Sequence, residues 1–281
     1  MGKLRIISHN LWKCDHNLPA WEAMGRDCSA AIRAKGMVQV YEDTQPDIIG
    51  CQEMSFAMAD EILCGLANRG QRYALLWGRD TPILYRQDRL ELLDSDFQLY
   101  PDHIPGWEGI FNNYGTKSWC LAVFRNKSDG KCLIFMTTHL WWMSSDPASS
   151  HYQAGSDEAR VHQLNMAMDR LEEYWEKHNC PVILVGDLNA DYHKPVVQNA
   201  LSRGYAHAHN AAVEYTDETQ GYHDCGNNGF SDYLTGPFES AIDHILVKYV
   251  PEGFVRRFER YSPNYYLPLS DHSPVFADVE V

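Results

Sequence analysis

Four apolar residues, Val182-Ile183-Leu184-Val185, run through Gly186 directly into Asp187, Asn189 and Asp191. A half-exposed strand alternates polar and apolar side chains, whereas a run without a polar position, rich in β-branched residues, has both of its faces covered. The chain must therefore supply a packing layer on each side of this strand. If strand geometry persists past Gly186, the three polar residues at alternate positions point to one side. They suit an Asx-type turn equally well, because Asp and Asn are common turn formers. The run alone leaves both readings open.

Strands and helices alternate around it. "LRIISHNLW" reads as a strand, about Met24 to Thr44 as a helix, and "QPDIIGCQEM" as a strand entered after a Pro stop. A second helix spans roughly Ser55 to Asn68. "YALLW", "TPILYR", "LELLDSDFQLY", "SWCLAVF" and "CLIFMTTHLWW" follow as strands separated by turn residues such as those from Asn126 to Gly130. The most regular helix is "SDEARVHQLNMAMDRLEEYWEKH": Val161, Leu164, Met168, Leu171 and Trp175 recur at three- and four-residue spacing, with Ser156 placed as N-cap. A short helix near Val196 to Arg203 and a long polar loop lead to "SAIDHILVKYV", "FVRRFERY" and "SPVFADVEV". Strands partly in runs and partly alternating with helices predict an α/β chain in which two sheets pack together with helices outside. No Pro-rich or Gly/Ser linker and no repeat breaks the pattern, so residues 1–281 are read as one domain.

Charge narrows the range of partners. A net formal charge of -14 opposes avid binding of long nucleic-acid tracts, which depends on cations displacing counterions from phosphates. A bound divalent cation or a local basic groove can still reverse the field at one site. The first strand begins at Lys3, leaving no room for a charged and then apolar leader, and no apolar segment reaches bilayer length. These features point to a cytoplasmic, monomeric protein without a membrane span. The cysteines, at 14, 28, 51, 64, 120, 132, 180 and 225, form no CxxC pair and are expected as free structural thiols.

The apolar strands repeatedly end in carboxylates, amides or imidazoles: Asn10, Glu53, His139, Asp187 with Asn189, Asp243, and Asp271-His272. Each alone is an ordinary turn, cap or core residue. Together they would be expensive to bury without mutual pairing or a metal. Oxygen donors without thiolates suit a hard cation, and Mg²⁺ takes one or two carboxylates while keeping several waters. Such a cation beside carboxylates, an amide and two histidines can activate water and stabilise charge on a phosphoryl group.

The ordered series "SHNLW", "DIIGCQEM", "TTHLWW", "GDLNAD", "IDHILV" and "SDHSPV" resembles the endonuclease/exonuclease/phosphatase superfamily, which includes deoxyribonuclease I, exonuclease III and neutral sphingomyelinases. The resemblance extends from Asn10 to His272 and implies a four-layer α/β sandwich, two facing mixed β-sheets flanked by helices, with the active site at one edge. It implies a Mg²⁺-dependent phosphohydrolase, with Mn²⁺ as a substitute. Glu53 looks like the main metal ligand, with Asn10 and Asp271 as direct or water-mediated ligands. His272 resembles the general base and Asp243 the carboxylate that orients it. Asp187 would position the attacking water, Asn189 would hydrogen-bond the phosphoryl oxygen, and His139 would assist the phosphate or leaving group. On this reading the Asx turn serves to deliver Asp187 and Asn189.

Asp191 is assigned to the turn and His244, next to Asp243 on a strand, to the opposite sheet surface. Arg160, expected as an exposed helical arginine, is also a candidate for a substrate phosphate. Trp141 and Tyr222 are candidates for stacking on a substrate, with core packing as the alternative. Met54-Ser55 follow Glu53 where some nucleases of the family carry a basic residue, and no Lys/Arg-rich groove is evident. A small phosphate ester, cleaved by a phosphodiesterase, is therefore favoured over nucleic acid. A nuclease and a non-catalytic binding protein of the same fold are the alternatives.

Overall fold

The computed structural model describes residues 2–216, 218–220, 235–261, 263, 265 and 268–281. The chain opens with β1 (Lys3–Asn10), α1 (Pro19–Ala23), α2 (Ala30–Thr44), β2 (Ile48–Gln52) and α3 (Phe56–Asn68). Five strands follow in succession: β3 (Tyr73–Leu76), β4 (Ile83–Arg86), β5 (Leu90–Leu99), β6 (Ser118–Asn126) and β7 (Cys132–His139). Then come α4 (Ser156–His178), β8 (Val182–Asp187), α5 (Pro195–Ser202), β9 (Ala206–His207), α6 (Ala208–Ala211) and β10 (Glu214–Tyr215). The remainder comprises β11 (Glu218–Gln220), β12 (Thr235–Pro237), β13 (Asp243–Lys248), β14 (Val255–Arg260) and β15 (Val275–Glu280).

Among the described residues the strands form two large mixed sheets and one small ladder, β11-β12. The first sheet runs β10-β14-β15-β1-β2-β4-β3 and the second β5-β6-β7-β8-β13-β9. In the first, β1 lies parallel to β2 and antiparallel to β15. In the second, β8 lies parallel to β7 and antiparallel to β13.

Side-chain alternation along the central strands creates the layers. On β1, Leu4 and Ile6 join Phe135, Ile183 and Val185 in the core between the sheets. Ile7 turns the other way and packs with Met37, Tyr41 and Ile62 of α2 and α3. On β8, Val182 and Leu184 pack under α4 and α5 with Leu164, Met168 and Val197. The Val182–Val185 run is thus buried on both faces, as its composition predicts, and burial of each such side chain contributes about 1.5–3 kcal/mol. A Cβ on Gly50 of β2 would fall 2.5 Å from Val185 Cγ2 and 2.8 Å from Thr137 Cβ, so glycine permits the close approach of the sheets.

Helix boundaries differ from expectation in two places. The predicted helix from Met24 begins only at Ala30, preceded by the short α1. Arg33 accounts for the intervening turns: buried on α2, it donates to the carbonyls of Leu11, Trp12, Cys14, Cys28 and Leu269 and holds these loops against the helix. Gly155, not Ser156, occupies the N-cap of α4, and the Ser156 hydroxyl donates to the Gln153 carbonyl. The cysteines among the described residues are free, and among those residues no helix is long and apolar enough to cross a membrane.

Candidate active site

The strand ends converge at one edge of the sandwich. In the second sheet, His139 on β7 is in register with Asp187 on β8, which is in register with Asp243 on β13. All three are buried, and their strand parity aims them between the sheets, where Ile183, Val185 and Ile245 lie further down. From the first sheet, Asn10 ends β1, Glu53 follows β2, and Asp271-His272 precede β15. A polar set drawn from both sheets faces itself across their common edge.

His272 Nδ1 lies 2.9 Å from Asp243 Oδ2, and its Nε2 lies 3.8 Å from Asp187 Oδ2 and 3.5 Å from Asn10 Nδ2. With Nδ1 donating to Asp243, Nε2 is directed toward the edge of the sandwich, the tautomer that an Asp-His pair enforces. Burial opposes charge on His272, yet Asp243, Asp271 and Asp187 together hold it well above its ordinary value. Burial likewise disfavours the Asp243 carboxylate, but His272 and Arg260 keep it below its ordinary value.

Asn10 Nδ2 donates to Asp187 Oδ2 at 3.0 Å and faces Glu53 Oε1 at 3.5 Å, while its oxygen accepts the Trp12 N–H. The amide is thus oriented as a donor between two carboxylates. Glu53 sits at φ 56°, a left-handed conformation that turns its side chain off the end of β2, and its Oε2 accepts the Lys13 N–H at 3.1 Å. Ser270 fixes the last segment by donating to the Asn10 carbonyl at 2.7 Å and accepting the His272 N–H at 3.1 Å.

The Asx turn after β8 is present: Asp187 Oδ1 accepts the Asn189 N–H at 2.8 Å. The strand geometry stops at Asp187, and Asn189 adopts φ 49° with its side-chain amide donating to the Leu140 carbonyl at 3.1 Å. Before the turn, a Cβ on Gly186 would lie 2.0 Å from the Thr138 carbonyl oxygen, so only glycine lets β8 deliver Asp187 beside His139.

Three charged residues at this edge had no motif to announce them. Lys117, buried at the start of β6, places Nζ 2.6 Å from His139 Nε2. Burial pulls its ammonium below the ordinary range, opposed by Glu53, Asp187 and Asp80. Asp80, in the loop before β4, lies 3.8 Å from His139 Nδ1 and accepts from Lys13 Nζ at 2.9 Å. Arg260 of β14 lies 4.0 Å from Asp243 and donates to the Ser273 carbonyl at 3.1 Å. The available signals were a lysine immediately before a strand, an aspartate in a turn and an arginine at the end of a strand, each commonplace in a sequence.

Other predicted residues sit elsewhere. Asp191 accepts the His193 N–H in a turn. His244 faces away from the inter-sheet core, bonding the Ala190 carbonyl and His207. Arg160, only 3% exposed, is neither a surface arginine nor aimed at the strand edge: it holds the Trp141 and Met143 carbonyls and pairs with Asp157. Trp141 is buried edge-on against Phe111, so packing rather than substrate stacking explains it, whereas neighbouring Trp142 is exposed. Tyr222 lies outside the described residues.

The Endonuclease/Exonuclease/phosphatase family model matches residues 7–272. The chain belongs to this family. Its members are phosphoric ester hydrolases, and so is this chain. No curated protein matches it in sequence. Among solved structures, an endonuclease/exonuclease/phosphatase from Bacteroides vulgatus is 21% identical, with all of both chains covered and a TM-score of 0.75. A mannosyl-6-phosphatase from Bacteroides thetaiotaomicron is also 21% identical, over 99% of this chain and 100% of that one, with a TM-score of 0.73. TDP2 from D. rerio, complexed with a single-strand DNA product, is 20% identical, covers 100% of each chain and gives a TM-score of 0.63. At these identities the structural likeness establishes the shared family fold.

Proposed function

We propose that the chain is a Mg²⁺-dependent phosphodiesterase acting on a small phosphate ester, with Mn²⁺ able to replace Mg²⁺. The observation that carries this reading is the His272–Asp243 pair, 2.9 Å long, with Nε2 directed toward Asp187 at the strand edge. In its neutral form, populated as pH rises through its raised value, His272 takes the proton from an attacking water, Asp243 retains the ring orientation and stabilises the imidazolium, and Asp187 orients the water. Lys117 supplies positive charge, and His139 assists where the phosphoryl oxygens or leaving group would lie. The net charge of -14 favours a small ester over a long polyanion.

The donor set fits a hard cation, because Glu53, Asp187 and Asp271 offer only oxygen. Among the described residues no three His, Cys, Asp or Glu side chains are arranged to enclose a metal. A Mg²⁺ held by one or two carboxylates and otherwise by water needs no such enclosure. Glu53 and Asp271 would hold it, with Asn10 at their side, and a bound cation supplies charge neutralisation for the phosphoryl oxygens.

The test compares hydrolysis of bis-p-nitrophenyl phosphate and p-nitrophenyl phosphate with Mg²⁺, with Mn²⁺ and with chelator. Metal-dependent cleavage favouring the diester, reduced by about 10²–10⁴ in His272→Ala, is expected. Near-wild-type turnover in a folded His272→Ala protein would sink the assignment. The likeness to a DNA-bound structure motivates the nuclease alternative, which requires oligonucleotide cleavage at low salt that weakens steeply as salt rises.

A further inference from the structure

A cavity of about 480 Å³ opens beside the strand edge on the Glu53 side, lined among others by Lys13, Phe56, Trp77, Arg79, Asp80 and Tyr114. It shares a wall with the active site. The Lys13 N–H donates to Glu53 Oε2, Lys13 Nζ donates to Asp80 Oδ1, and Asp80 Oδ2 lies 3.8 Å from His139 Nδ1. Lys13 and Asp80 therefore stand between the cavity and the side chains of Glu53 and His139.

Trp77 packs against the core, but the other two aromatic lining residues are not buried for packing. Phe56, at the start of α3, is 65% exposed although its ring stacks on Trp77, with centroids 3.8 Å apart and planes 15° from parallel. Tyr114, at the rim, is 90% exposed. Two of the lining residues, Arg79 at φ 52° and Tyr114 at φ 61°, hold left-handed backbone, a strained state that clusters at ligand clamps. Open aromatic faces beside Lys13 and Arg79 match the chemistry of a flat π-system attached to an anion. An aliphatic chain would instead cover the exposed Lys13 and Arg79 without the cation–π attraction that a ring offers them.

We infer that this cavity receives the organic group of the substrate ester and selects a planar aromatic ring, stacked on Phe56 and flanked by Tyr114. The inference rests on the phosphoesterase reading, and it adds the substrate class that reading leaves open. The shared chemistry is the flat ring, which a simple aryl group or a nucleobase would supply equally.

The test is calorimetric binding to the full-length His272→Ala protein, which separates recognition from turnover. Phenyl phosphate, a nucleoside monophosphate, methyl phosphate and a hexose 6-phosphate are compared with Mg²⁺ present, in that background and with Phe56→Ala or Tyr114→Ala added. Both ring-bearing ligands should bind roughly 5- to 100-fold tighter than methyl phosphate, and Phe56→Ala should remove that advantage while leaving methyl phosphate unaffected. The stronger of the two ring-bearing ligands identifies the source of the ring. Equal affinity for methyl and phenyl phosphate, preference for the hexose phosphate, or an aryl preference that survives both substitutions would overturn the inference. Both side chains are exposed, so the variants should remain folded, as circular dichroism can verify. A Phe56-dependent ring preference in a wild-type protein that hydrolyses nothing would refute the phosphodiesterase reading and keep the cavity. Hydrolysis without ring preference would do the reverse.

Discussion

Replacing Arg33 with methionine removes a guanidinium that is 1% exposed while preserving much of its aliphatic volume. The five carbonyls it serves lie 2.6–2.8 Å away: Cys28, Leu11, Leu269, Trp12 and Cys14. A buried acceptor left without a donor costs about 1–3 kcal/mol, which for five would be comparable to the whole stability of a domain. Two effects reduce that sum, since the variant no longer buries a charge and loop carbonyls can move to water. A net loss of about 3–5 kcal/mol is expected, in the range found when one partner of a buried charged network is deleted. Geometry suffers as well. Leu11 follows Asn10 directly and Leu269 stands two residues before Asp271, so the same guanidinium ties together two of the three chain segments that enter the site from the first sheet. Urea unfolding followed by circular dichroism, paired with diester hydrolysis, measures both effects. A loss below about 1 kcal/mol with unaltered hydrolysis would refute the positioning role. Arg33→Lys should recover only part of the loss, because a single ammonium cannot span the fork of acceptors.

Acid should destabilise the fold through its neutral buried histidines. Burial pushes His9 down to about 3 and, with Arg260 acting in the same direction, His207 well below and His244 below their ordinary 6.5. The unfolded chain gains these protons below pH 6.5 and the folded chain does not, so stability falls as pH drops, by about 1.4 kcal/mol per pH unit for each such histidine. His272 acts in the opposite sense: its contribution is fully present below 6.5 and is lost as pH rises through its raised folded value, so it leaves the acid slope unchanged. Urea midpoints that stay constant from pH 7 to about 5 would contradict this account. In Gly50→Ala, a methyl group forced against Val185 and Thr137 should cost about 1–3 kcal/mol and lower kcat/KM by spreading the sheets. Unchanged kcat/KM in a destabilised variant would show that sheet spacing does not control the site.

The two-sheet plan was legible because strand periodicity separates faces without tertiary information. Val182–Val185 declared a doubly covered strand, and the residue after Asp243 fell on the opposite face as parity requires. The polar strand ends were legible as an ordered series, and the structure brings Asn10, Glu53, His139, Asp187, Asp243 and His272 together. Residues whose role depends on contacts made elsewhere were not. Lys117 meets His139 across 22 residues and Asp80 meets it from before β4, and neither spacing has a periodicity that could reveal it. Arg160 was misread for the same reason: its partners are carbonyls of a loop that precedes its own helix, and backbone carbonyls leave no mark in the sequence. The aromatic residues beside His139 were equally ambiguous, since burial of Trp141 and exposure of Trp142 follow from how one loop folds over α4.

Pairing of β1 with β15 has a consequence for the order in which the protein acquires competence. Asn10 and His272 stand 262 positions apart, and they meet only when the two most distant strands of the first sheet are zipped side by side. Such long-range closure is kinetically slow compared with local helix and hairpin formation. Intermediates can therefore hold Asp187 beside His139 in the second sheet while Asp243 still lacks the His272 imidazole. Because β15 lies between β14 and β1 and supplies core residues to both faces of the first sheet, the site and the sheet are completed, and lost, together.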